Sequence, residues 1–560
     1  MAFRVLGINA AFHDPSAALV SDGRIVAAAE EERFSRRKHG KEPVPFSAWE
    51  LPERSARWCL EHAGLGAGDL DVVAYAYDPA LATVSSQDPL AQRWEGLRTL
   101  FAARAPLFLR TALPGLDPAR VRFVAHHVAH AASAYLGAPF NSCAVLTLDG
   151  RGESTSQLAG HVRGGALEVL HEQRLPHSLG LVYEDLTEHL GFKRASDEYK
   201  VMALASYGQP RWLDEIREAL RTTGDGAFVA EPLDWSAFAP ALTGGREWSG
   251  EHADLAASVQ RRLEEVVLEL GDWLHRRTGE TRLALAGGVA LNCVCNSRLW
   301  REGPFEEVWV QPAAGDSGTA LGAAQYVARE LGDRIQPMGT AAIGRGWEPD
   351  ALEAWLRRAA VPFERPHDVA EQAADIIARN GVVAWFDGRA EFGPRALGHR
   401  SLLADPRDAA NLERLNDVKG REQFRPVAPM VLAERAHEIF SGGPIPSPYM
   451  LFTHAVAPHW LDRIPAVVHV DGTARIQTVD GEREPAVARM LRAFEHRTGV
   501  PVVVNTSLNT AGRPMVDDPR DALECFGSAP VDALVMGPFL VRRPTSAAAL
   551  GPPLEAGIAA

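Results

Sequence analysis

Two segments of this chain repeat one arrangement of apolar and polar residues, and this repeat limits the folds open to it. Each segment has three apolar runs separated by short polar or glycine turns, at residues 4–9, 16–20 and 24–29, and again at 143–148, 155–161 and 167–175. Such spacing predicts a three-stranded antiparallel meander in each segment. Helical segments follow both meanders. The chain is therefore predicted to contain two related subdomains that face one cleft.

Composition narrows the class of protein. A chain of 560 residues is too long for one core and predicts several domains. The 58 basic and 72 acidic residues give a net charge of −14, which argues against nucleic acid as a partner. Five scattered cysteines predict no disulfide framework and fit a reducing cytoplasm. The first residues are too short an apolar run for a signal peptide, and no stretch has membrane length, so a cytoplasmic protein without membrane contact is expected.

The segment 283–293 predicts a nucleotide site. Its apolar run 283–286 is typical of a strand covered on both faces, and Gly287 and Gly288 follow at the point where that strand ends. Two glycines allow a ligand to approach the backbone, and a following helix would direct free N–H groups at it. Asn292 adds an amide that can donate and accept hydrogen bonds. The alternative is a tight turn that binds nothing.

Two histidines and two aspartates form a candidate metal site. His126 and His130 lie four residues apart on a predicted helix, so their imidazoles share a face, although His127 could replace one of them. Asp149 and Asp316 follow predicted strands and could complete the coordination. A mixed nitrogen and oxygen set suits Fe(II), Mn(II) or Zn(II). The alternatives are a metal-free polar cluster and, for Asp316, a helix N-cap.

Cations are concentrated in the last third of the chain, beyond a break in the pattern near residues 333–349. Three arginines lie in the loop 387–400, among them Arg395 and Arg400, and Lys419 is followed by Arg421 and Arg425. Arginine forks and a lysine suit phosphate groups, whereas a surface salt-bridge network is the alternative. Asn505, Ser507 and Asn509 alternate at the end of a predicted strand, where ligands bind in open sheets. The charged segment 30–39 is predicted to be a solvated loop.

Five motifs together carry a family resemblance: residues 126–130 (His-His-Val-Ala-His), 198–202 (Glu-Tyr-Lys-Val-Met), 287–292 (Gly-Gly-Val-Ala-Leu-Asn), 392–398 (Phe-Gly-Pro-Arg-Ala-Leu-Gly) and 505–509 (Asn-Thr-Ser-Leu-Asn). With them the chain resembles the O-carbamoyltransferases of antibiotic and nodulation-factor biosynthesis. The resemblance implies an α/β fold: a duplicated actin-like domain of the TsaD type at residues 1–337, a YrdC-like α/β domain at 338–548, and a flexible tail at 549–560. One departure is that Ala203 and Ser206 stand where Gly and Pro are usual.

The resemblance also implies a reaction and roles for the motif residues. Carbamoyl phosphate and ATP would give carbamoyl adenylate, and the carbamoyl group would then pass to a hydroxyl of a small-molecule natural product, such as an antibiotic. His126, His130, Asp149 and Asp316 would hold a metal, typically iron, while Gly287, Gly288 and Asn292 would hold the adenosine. The residues expected to handle carbamoyl phosphate and ATP are Arg395, Arg400, Lys419, Arg425, Asn505, Ser507 and Asn509. His13 and Lys38 are expected on the acceptor side, and Lys200 is expected to contact phosphate or the acceptor. A homodimer is possible.

Three other functions compete with this one. A tRNA-directed threonylcarbamoyl enzyme would use a similar adenylate, but it would need a basic surface. A nucleotide-binding maturation factor of the hydrogenase type would bring a zinc finger, which the scattered cysteines do not supply. A sugar kinase of the actin superfold would release ADP rather than AMP and pyrophosphate.

Overall fold

The computed structural model describes residues 3–40, 50–83, 89–243, 247–510 and 512–543. The predicted tail at 549–560 lies outside these ranges. Among the described residues, no helix is long and apolar enough to cross a membrane. All five cysteines are buried, and none is paired with another.

The first sheet has five strands, and the predicted first meander forms one side of it. The strands are β1 (Arg4–Asn9), β2 (Ser16–Ser21), β3 (Arg24–Glu30), β4 (Val72–Tyr75) and β5 (Val121–Phe123). The helices of this region are α1 (Glu32–Ser35), α2 (Glu53–His62), α3 (Pro89–Ala112) and α4 (His126–Tyr135). The strand order is β3-β2-β1-β4-β5. β1 pairs with β2 antiparallel and with β4 parallel, and β4 and β5 are also parallel.

The second sheet also has five strands and contains the second predicted meander. Its region comprises the strands β6 (Ser142–Leu148), β7 (Thr155–Arg163), β8 (Ala166–Arg174), β9 (Leu220–Thr222), β10 (Phe228–Ala230), β11 (Arg282–Ala286) and β12 (Glu307–Val310). The helices are α5 (Leu179–His189), α6 (Glu198–Ala205), α7 (Leu213–Ala219), α8 (Gly250–Thr278), α9 (Cys293–Glu302) and α10 (Ser317–Glu330). The order is β12-β11-β6-β7-β8, and β9 and β10 form a separate hairpin.

The two sheets have the same topology. In each sheet the three meander strands lie side by side, with the first of them innermost. Two strands from later in the chain extend each sheet beyond that first strand, parallel to it. Both predicted meanders are therefore present, each in a sheet of the same strand order, and their assignment to two related subdomains stays a prediction. Because β6, β11 and β12 are parallel, the residues that follow them meet at one edge of the second sheet, where ligands bind in open α/β sheets.

Close packing between β1 and α10 joins the two subdomains. Gly7 on β1 faces α10 so closely that a Cβ built on it would lie 1.8 Å from the carbonyl oxygen of Ala320. Two buried backbones in such contact cannot separate without loss of the apolar contacts around them. This backbone packing therefore fixes β1 against α10, the helix that follows the edge strand β12 of the second sheet.

The substitution Gly7→Ala is expected to destabilise the fold by more than about 3 kcal/mol, because the added methyl group has no space beside α10. Gly527→Ala on a later helix is the matched control, since a Cβ there meets no heavy atom within 4 Å. The control should gain about 0.5–1 kcal/mol from better helix propensity. Urea unfolding measures both values, and equal effects of the two substitutions would contradict the packing described.

A seven-stranded mixed sheet forms the C-terminal part, in the order β19-β15-β20-β14-β13-β21-β22. The strands of this part are β13 (Val383–Phe386), β14 (Arg400–Ala404), β15 (Ala428–Leu432), β16 (Phe440–Ser441), β17 (His454–Val456), β18 (Thr473–Ala474), β19 (Gln477–Val479), β20 (Val502–Ser507), β21 (Ala533–Met536) and β22 (Phe539–Arg542). The helices are α11 (Pro349–Arg358), α12 (Val369–Ala378), α13 (Ala410–Val418), α14 (Ala433–Ile439), α15 (Pro485–Thr498) and α16 (Pro519–Ser528). The three short strands β16, β17 and β18 form a separate sheet.

The whole chain is thus a mixed α/β protein, as predicted. Strand β13 is buried along its full length, which fits its continuous apolar sequence. Residues 331–348 are all described and contain neither a helix nor a strand. The division of the chain at 337/338 stays a prediction, as does the assignment of the two parts to particular families of domain.

The charged segment 30–39 is not a solvated loop, so that prediction was wrong. Glu30, Glu31 and Arg33 are 6%, 5% and 2% exposed. Arg33 donates to the carbonyl oxygen of Gly393 at 2.9 Å, and Glu30 accepts the backbone N–H of Gly393 at 2.6 Å. The density of charge predicted water contact, but the charges instead attach the first subdomain to the arginine-rich loop 387–400. This attachment holds that loop in place.

Glu30 gives this attachment a pH dependence. Burial raises the pKa of Glu30 to about 7, although Arg33 opposes the shift. The folded chain therefore keeps a proton between about pH 4.5 and 7 that the unfolded chain releases. Relative to Glu30→Gln, the wild type is expected to lose roughly 1–3 kcal/mol of unfolding free energy as pH rises through this window. Urea unfolding at pH 5 and pH 8 measures the difference, and a difference that does not vary with pH would contradict the assignment.

Candidate functional site

The predicted histidine pair lies at the start of α4. His126 and His130 are fully buried, and their ring centroids are 4.7 Å apart. Nδ1 of His126 lies 3.2 Å from the carbonyl oxygen of Ala76 and can donate to it, which leaves Nε2 as the free nitrogen. His127 is directed elsewhere, because its Nδ1 bonds Oγ1 of Thr155 at 2.7 Å. The spacing i, i+4 therefore identifies the pair that shares a face.

Asp149 and Asp316 reach this pair from the second sheet, where they follow β6 and β12. Nε2 of His126 lies 3.6 Å from one carboxylate oxygen of each aspartate. Nε2 of His130 lies 3.8 Å from Asp149 and 3.5 Å from Asp316. These four ligand atoms all lie within 4.8 Å of one another. Asp316 occupies the N-cap position of α10, but its side chain makes no cap hydrogen bond.

In this cluster two imidazoles face two carboxylates, and these groups shift one another's pKa. Burial lowers the pKa of His126, but Asp316 and Asp149 outweigh it and hold that pKa well above its ordinary value. Burial raises the pKa of Asp149, but His126 and His130 outweigh it and hold that pKa well below its ordinary value. Within the described residues, Nε2 of neither histidine has a hydrogen-bond partner. Buried imidazole nitrogens and carboxylate oxygens so arranged are the donor set of a divalent transition metal.

The Gly287-Gly288 turn positions one of these carboxylates. Gly287 has a φ of 91° and lies so close to β6 that a Cβ would be 2.2 Å from the carbonyl oxygen of Leu148. Only glycine tolerates both conditions. The N–H of Gly288 then donates to Oδ1 of Asp149 at 2.9 Å. The turn is therefore built into the four-residue cluster.

The helix predicted to follow this turn begins later than expected. A 3-10 turn covers Gly288–Leu291, and α9 begins at Cys293. Asn292 caps α9 by accepting the N–H of Cys295 at 3.0 Å, and its Nδ2 donates to Gln260 at 2.8 Å. Asn292 thus has a structural role beside the predicted nucleotide contact.

A second cluster lies in the C-terminal part, around Lys419 at the end of α13. Its Nζ donates to the carbonyl oxygen of Ser507 at 2.5 Å and to the Ser507 hydroxyl at 2.9 Å, and it also bonds Oδ1 of Asn509. Burial, with Arg421 and Arg425 nearby, holds the pKa of Lys419 well below its ordinary value. The predicted group of Lys419, Ser507 and Asn509 is thus brought together at the carboxyl end of β20.

Arginines surround this lysine. Burial and the charge of Arg475 lower the pKa of Arg395 to about 9, and burial and Arg425 lower the pKa of Arg421 to about 9. Within the described residues, Nε of Arg395 and Nε of Arg475 have no hydrogen-bond partner. Cations this close to Arg395, Arg421 and Lys419 repel them, and a bound polyanion would relieve that repulsion. These five cations, Arg395, Lys419, Arg421, Arg425 and Arg475, are named the cation cluster.

Two residues predicted to bind ligand, Arg400 and Asn505, bond protein groups in the structure. Arg400 is fully buried, and its guanidinium donates to the carbonyl oxygens of Asp387, Gly388 and Arg345 at 3.1, 3.2 and 2.8 Å. In the structure its guanidinium bonds backbone carbonyl oxygens, and its contact with ATP or carbamoyl phosphate stays a prediction. Asn505 is also buried and donates to Gln477 at 2.7 Å and to the carbonyl oxygen of Ala396 at 3.0 Å. Both residues hold the loop that carries Arg395.

The predicted acceptor side lies between the two clusters. The backbone N–H of His13 donates to Asp316 at 3.0 Å, and Nδ1 of His13 lies 2.8 Å from Asp14. Asp14 also bonds Nδ1 of His39 at 2.9 Å, so it bridges two imidazoles. Nζ of Lys38 lies 5.8 Å from the ring centroid of Tyr199.

Lys200 bridges two parts of the chain. Its Nζ lies 2.7 Å from Glu422 and 3.0 Å from Asp197. This predicted phosphate or acceptor contact is therefore paired with two carboxylates, one of them in the loop that carries Arg421 and Arg425. The arrangement attaches α6 to the cation cluster.

Three residues in these contacts, Arg475, His39 and Tyr199, were not predicted to belong to a site. Arg475 stands alone between apolar residues, where no local pattern indicates a site. His39 lies in the charged segment taken as solvated, and only the fold places it against Asp14. Tyr199 was inside a quoted motif without a role. No local pattern pairs His39 with Asp14, because the two residues lie 25 positions apart in the sequence.

Two family models match most of this chain. Residues 4–325 match the family "Carbamoyltransferase N-terminus" and residues 374–543 match "Carbamoyltransferase C-terminus". An uncharacterized protein of Synechocystis is 38% identical over 96% of this chain and 96% of its own length. Nodulation protein NolNO of Sinorhizobium fredii is 38% identical over 96% of this chain and 80% of its own.

A solved structure is similar at a low level. Component A of the (R)-2-hydroxyglutaryl-CoA dehydratase of Acidaminococcus fermentans is 17% identical, covers 59% of this chain and 98% of its own, and has a TM-score of 0.34. The two family matches and the full-length relatives decide the assignment: the chain belongs to the carbamoyltransferase family and is a carbamoyltransferase.

Proposed function

We propose that this carbamoyltransferase activates its carbamoyl group with ATP in the cation cluster and transfers it at the buried His/Asp cluster to a hydroxyl of a small-molecule natural product. The observation that carries the proposal is that one chain holds two clusters of buried side chains with different chemistry. One is rich in buried cations and the other in imidazole and carboxylate groups. The C-terminal part would be a YrdC-like adenylation domain, and the two related sheets a TsaD-like transfer domain.

The cation cluster suits the activation step. Water releases phosphate from carbamoyl phosphate, a carbamate oxygen attacks the α-phosphorus of ATP, and pyrophosphate leaves. Carbamoyl adenylate, pyrophosphate and phosphate are the products. Lys419, Arg395, Arg421, Arg425 and Arg475 would neutralise the phosphate oxygens in a pocket with little water, where electrostatic stabilisation is strongest. Ser507 and Asn509 would hold the Lys419 ammonium in position, as they do in the contacts described above.

The His/Asp cluster suits the transfer step. His126, His130, Asp149 and Asp316 would hold iron(II), with manganese(II) or zinc(II) as other metals of similar preference. The free Nε2 atoms of both histidines and the two lowered carboxylate pKa values fit such an ion. When bound, a divalent metal supplies Lewis acidity toward a phosphate oxygen. Gly288 bonds Asp149 and Gly287 packs against Leu148, and these two glycines and Asn292 would contact the adenosine.

The acceptor hydroxyl would be activated by this chain's own residues. A neutral hydroxyl is a poor nucleophile, so a base at His13 would take its proton as the hydroxyl oxygen attacks the carbamoyl carbon and AMP leaves. Asp14 bonds Nδ1 of His13 and would orient the ring with Nε2 toward the acceptor. Lys38 would lie beside the same acceptor space. No nucleic acid and no membrane is proposed as a partner.

The test incubates the protein with ATP, carbamoyl phosphate and iron(II) under anaerobic conditions and measures nucleotide products and pyrophosphate. AMP and pyrophosphate that require carbamoyl phosphate are expected. ADP as the product would favour a sugar-kinase reaction instead. Saturable tRNA binding at low salt would favour the threonylcarbamoyl alternative, against which the charge of −14 argues. Absence of pyrophosphate above a Lys419→Ala control would overturn the proposal.

A further inference from the structure

The two sites of the proposed function are joined by an unbroken series of contacts. From the His/Asp cluster, Asp316 bonds the backbone of His13, His13 bonds Asp14, and Asp14 bonds His39 at distances of 3.0, 2.8 and 2.9 Å. The neighbour of His39 is Lys38, which lies against the ring of Tyr199. The same ring also contacts Arg425 of the cation cluster, whose guanidinium carbon lies 4.6 Å from the ring centroid.

Tyr199 lies in this series between Lys38 and Arg425, where the contacts of the two sites meet. Its neighbours on α6 attach that helix on both sides. Lys200 pairs with Glu422 beside the cation cluster, and Met202 contacts Cys293 beside the glycine turn, with 4.0 Å between the sulfurs. Arg395 closes the same boundary by donating to the carbonyl oxygen of Leu291 at 3.4 Å. The helix therefore lies along the boundary between the two sites.

The Tyr199 ring is not part of the packed core. Val201 and Leu204 of the same helix are fully buried, whereas the Tyr199 side chain is only partly buried and rests against two cationic side chains. Its hydroxyl makes one long bond, 3.4 Å, to Asp197. A partly exposed aromatic ring held by cations can stack on a purine and can also exclude water from one side of a space.

We propose that the Tyr199 ring is the partition between the adenylation and transfer sites, and that it keeps carbamoyl adenylate away from bulk water while the intermediate passes between them. Tyr199 acts as a positioning residue, through its ring rather than its hydroxyl. This inference rests on the proposed function. Without the ring, water attacks the carbamoyl carbon, the bond from that carbon to the phosphate oxygen breaks, and AMP and carbamate are released.

The experiment uses the full chain with iron(II), ATP and carbamoyl phosphate, and with no acceptor. The first burst of pyrophosphate reports formation of the intermediate, and the later steady release of AMP and pyrophosphate reports its loss to water. Tyr199→Ala is expected to keep the burst and to raise the steady release at least about fivefold. Tyr199→Phe, which keeps the ring, is the matched control and should behave as the wild type does.

Each outcome decides the question. A retained burst with an unchanged or slower steady release in Tyr199→Ala would overturn the partition, and so would loss of its burst, which would place Tyr199 in activation instead. A Tyr199→Phe variant as leaky as Tyr199→Ala would assign the effect to the hydroxyl and overturn the ring's role. Thermal unfolding checks that Tyr199→Ala is folded, and Tyr199→Leu takes its place if it is not. Failure of the proposed function is distinguishable, because the wild type would then give no burst.

Discussion

An Asp316→Asn variant is expected to bind iron(II) or manganese(II) at least about 100-fold more weakly than the wild type and to lose carbamoyl transfer. The carboxylate of Asp316 lies 3.6 and 3.5 Å from the free nitrogens of His126 and His130, and an amide cannot supply the second negative charge that offsets a divalent ion there. Isothermal titration of the metal-free protein with manganese(II) measures the affinity.

Asp462→Asn is the matched control, because it removes a carboxylate that is exposed on the surface. It should leave the affinity unchanged. The backbone N–H of His13 can still bond an amide oxygen at residue 316, so the Asp316→Asn chain should fold as the wild type does. Equal metal affinity in the wild type and Asp316→Asn would contradict the assignment of this cluster to a metal.

A Lys419→Met variant is expected to lose pyrophosphate formation by a factor of about a thousand. Methionine keeps the length and volume of the side chain but removes the ammonium group that Ser507 and Asn509 hold in the cation cluster. A preorganised charge in a buried site contributes several kcal/mol to a phosphoryl-type transition state, and the loss of that contribution sets the expected factor.

Lys193→Met, at an exposed lysine, serves as its control and should keep full activity. The remaining arginines should still bind ATP, so the effect is expected in kcat more than in KM. A Lys419→Met protein that forms pyrophosphate at the wild-type rate would remove Lys419 from the activation step. Thermal unfolding of both variants separates loss of activity from loss of the fold.

Much of the fold could be predicted from local pattern. Strands β1, β2 and β3 and strands β6, β7 and β8 lie where alternating apolar runs and short turns placed them, because strand formation there depends on neighbours in sequence. The match between the two sheets followed from the same repeat. The start of α9 was predicted too early, since the close contact of Gly287 with Leu148 requires a 3-10 turn that no local preference specifies.

The site was predictable where one element carries it. His126 and His130 share a face because they lie on one helix, so their spacing was sufficient. A sequence does not show which way a guanidinium turns, and only the structure shows that Arg400 bonds backbone carbonyl oxygens. The segment 30–39 was assigned to water because a sequence does not show that Glu30 and Arg33 face the backbone of Gly393. Arg475 and Tyr199 required the tertiary structure.

The central claim is that activation and transfer occur at two separate sites in one chain, and pyrophosphate release by a His130→Ala variant tests it most directly. The variant is incubated with ATP and carbamoyl phosphate, and its pyrophosphate burst is compared with those of the wild type and of Lys419→Ala. His130 lies in the His/Asp cluster, whereas Lys419 bonds Ser507 and Asn509, so a burst close to that of the wild type is predicted for His130→Ala and none for Lys419→Ala. Loss of the burst in His130→Ala as complete as in Lys419→Ala would contradict the separation of the two sites.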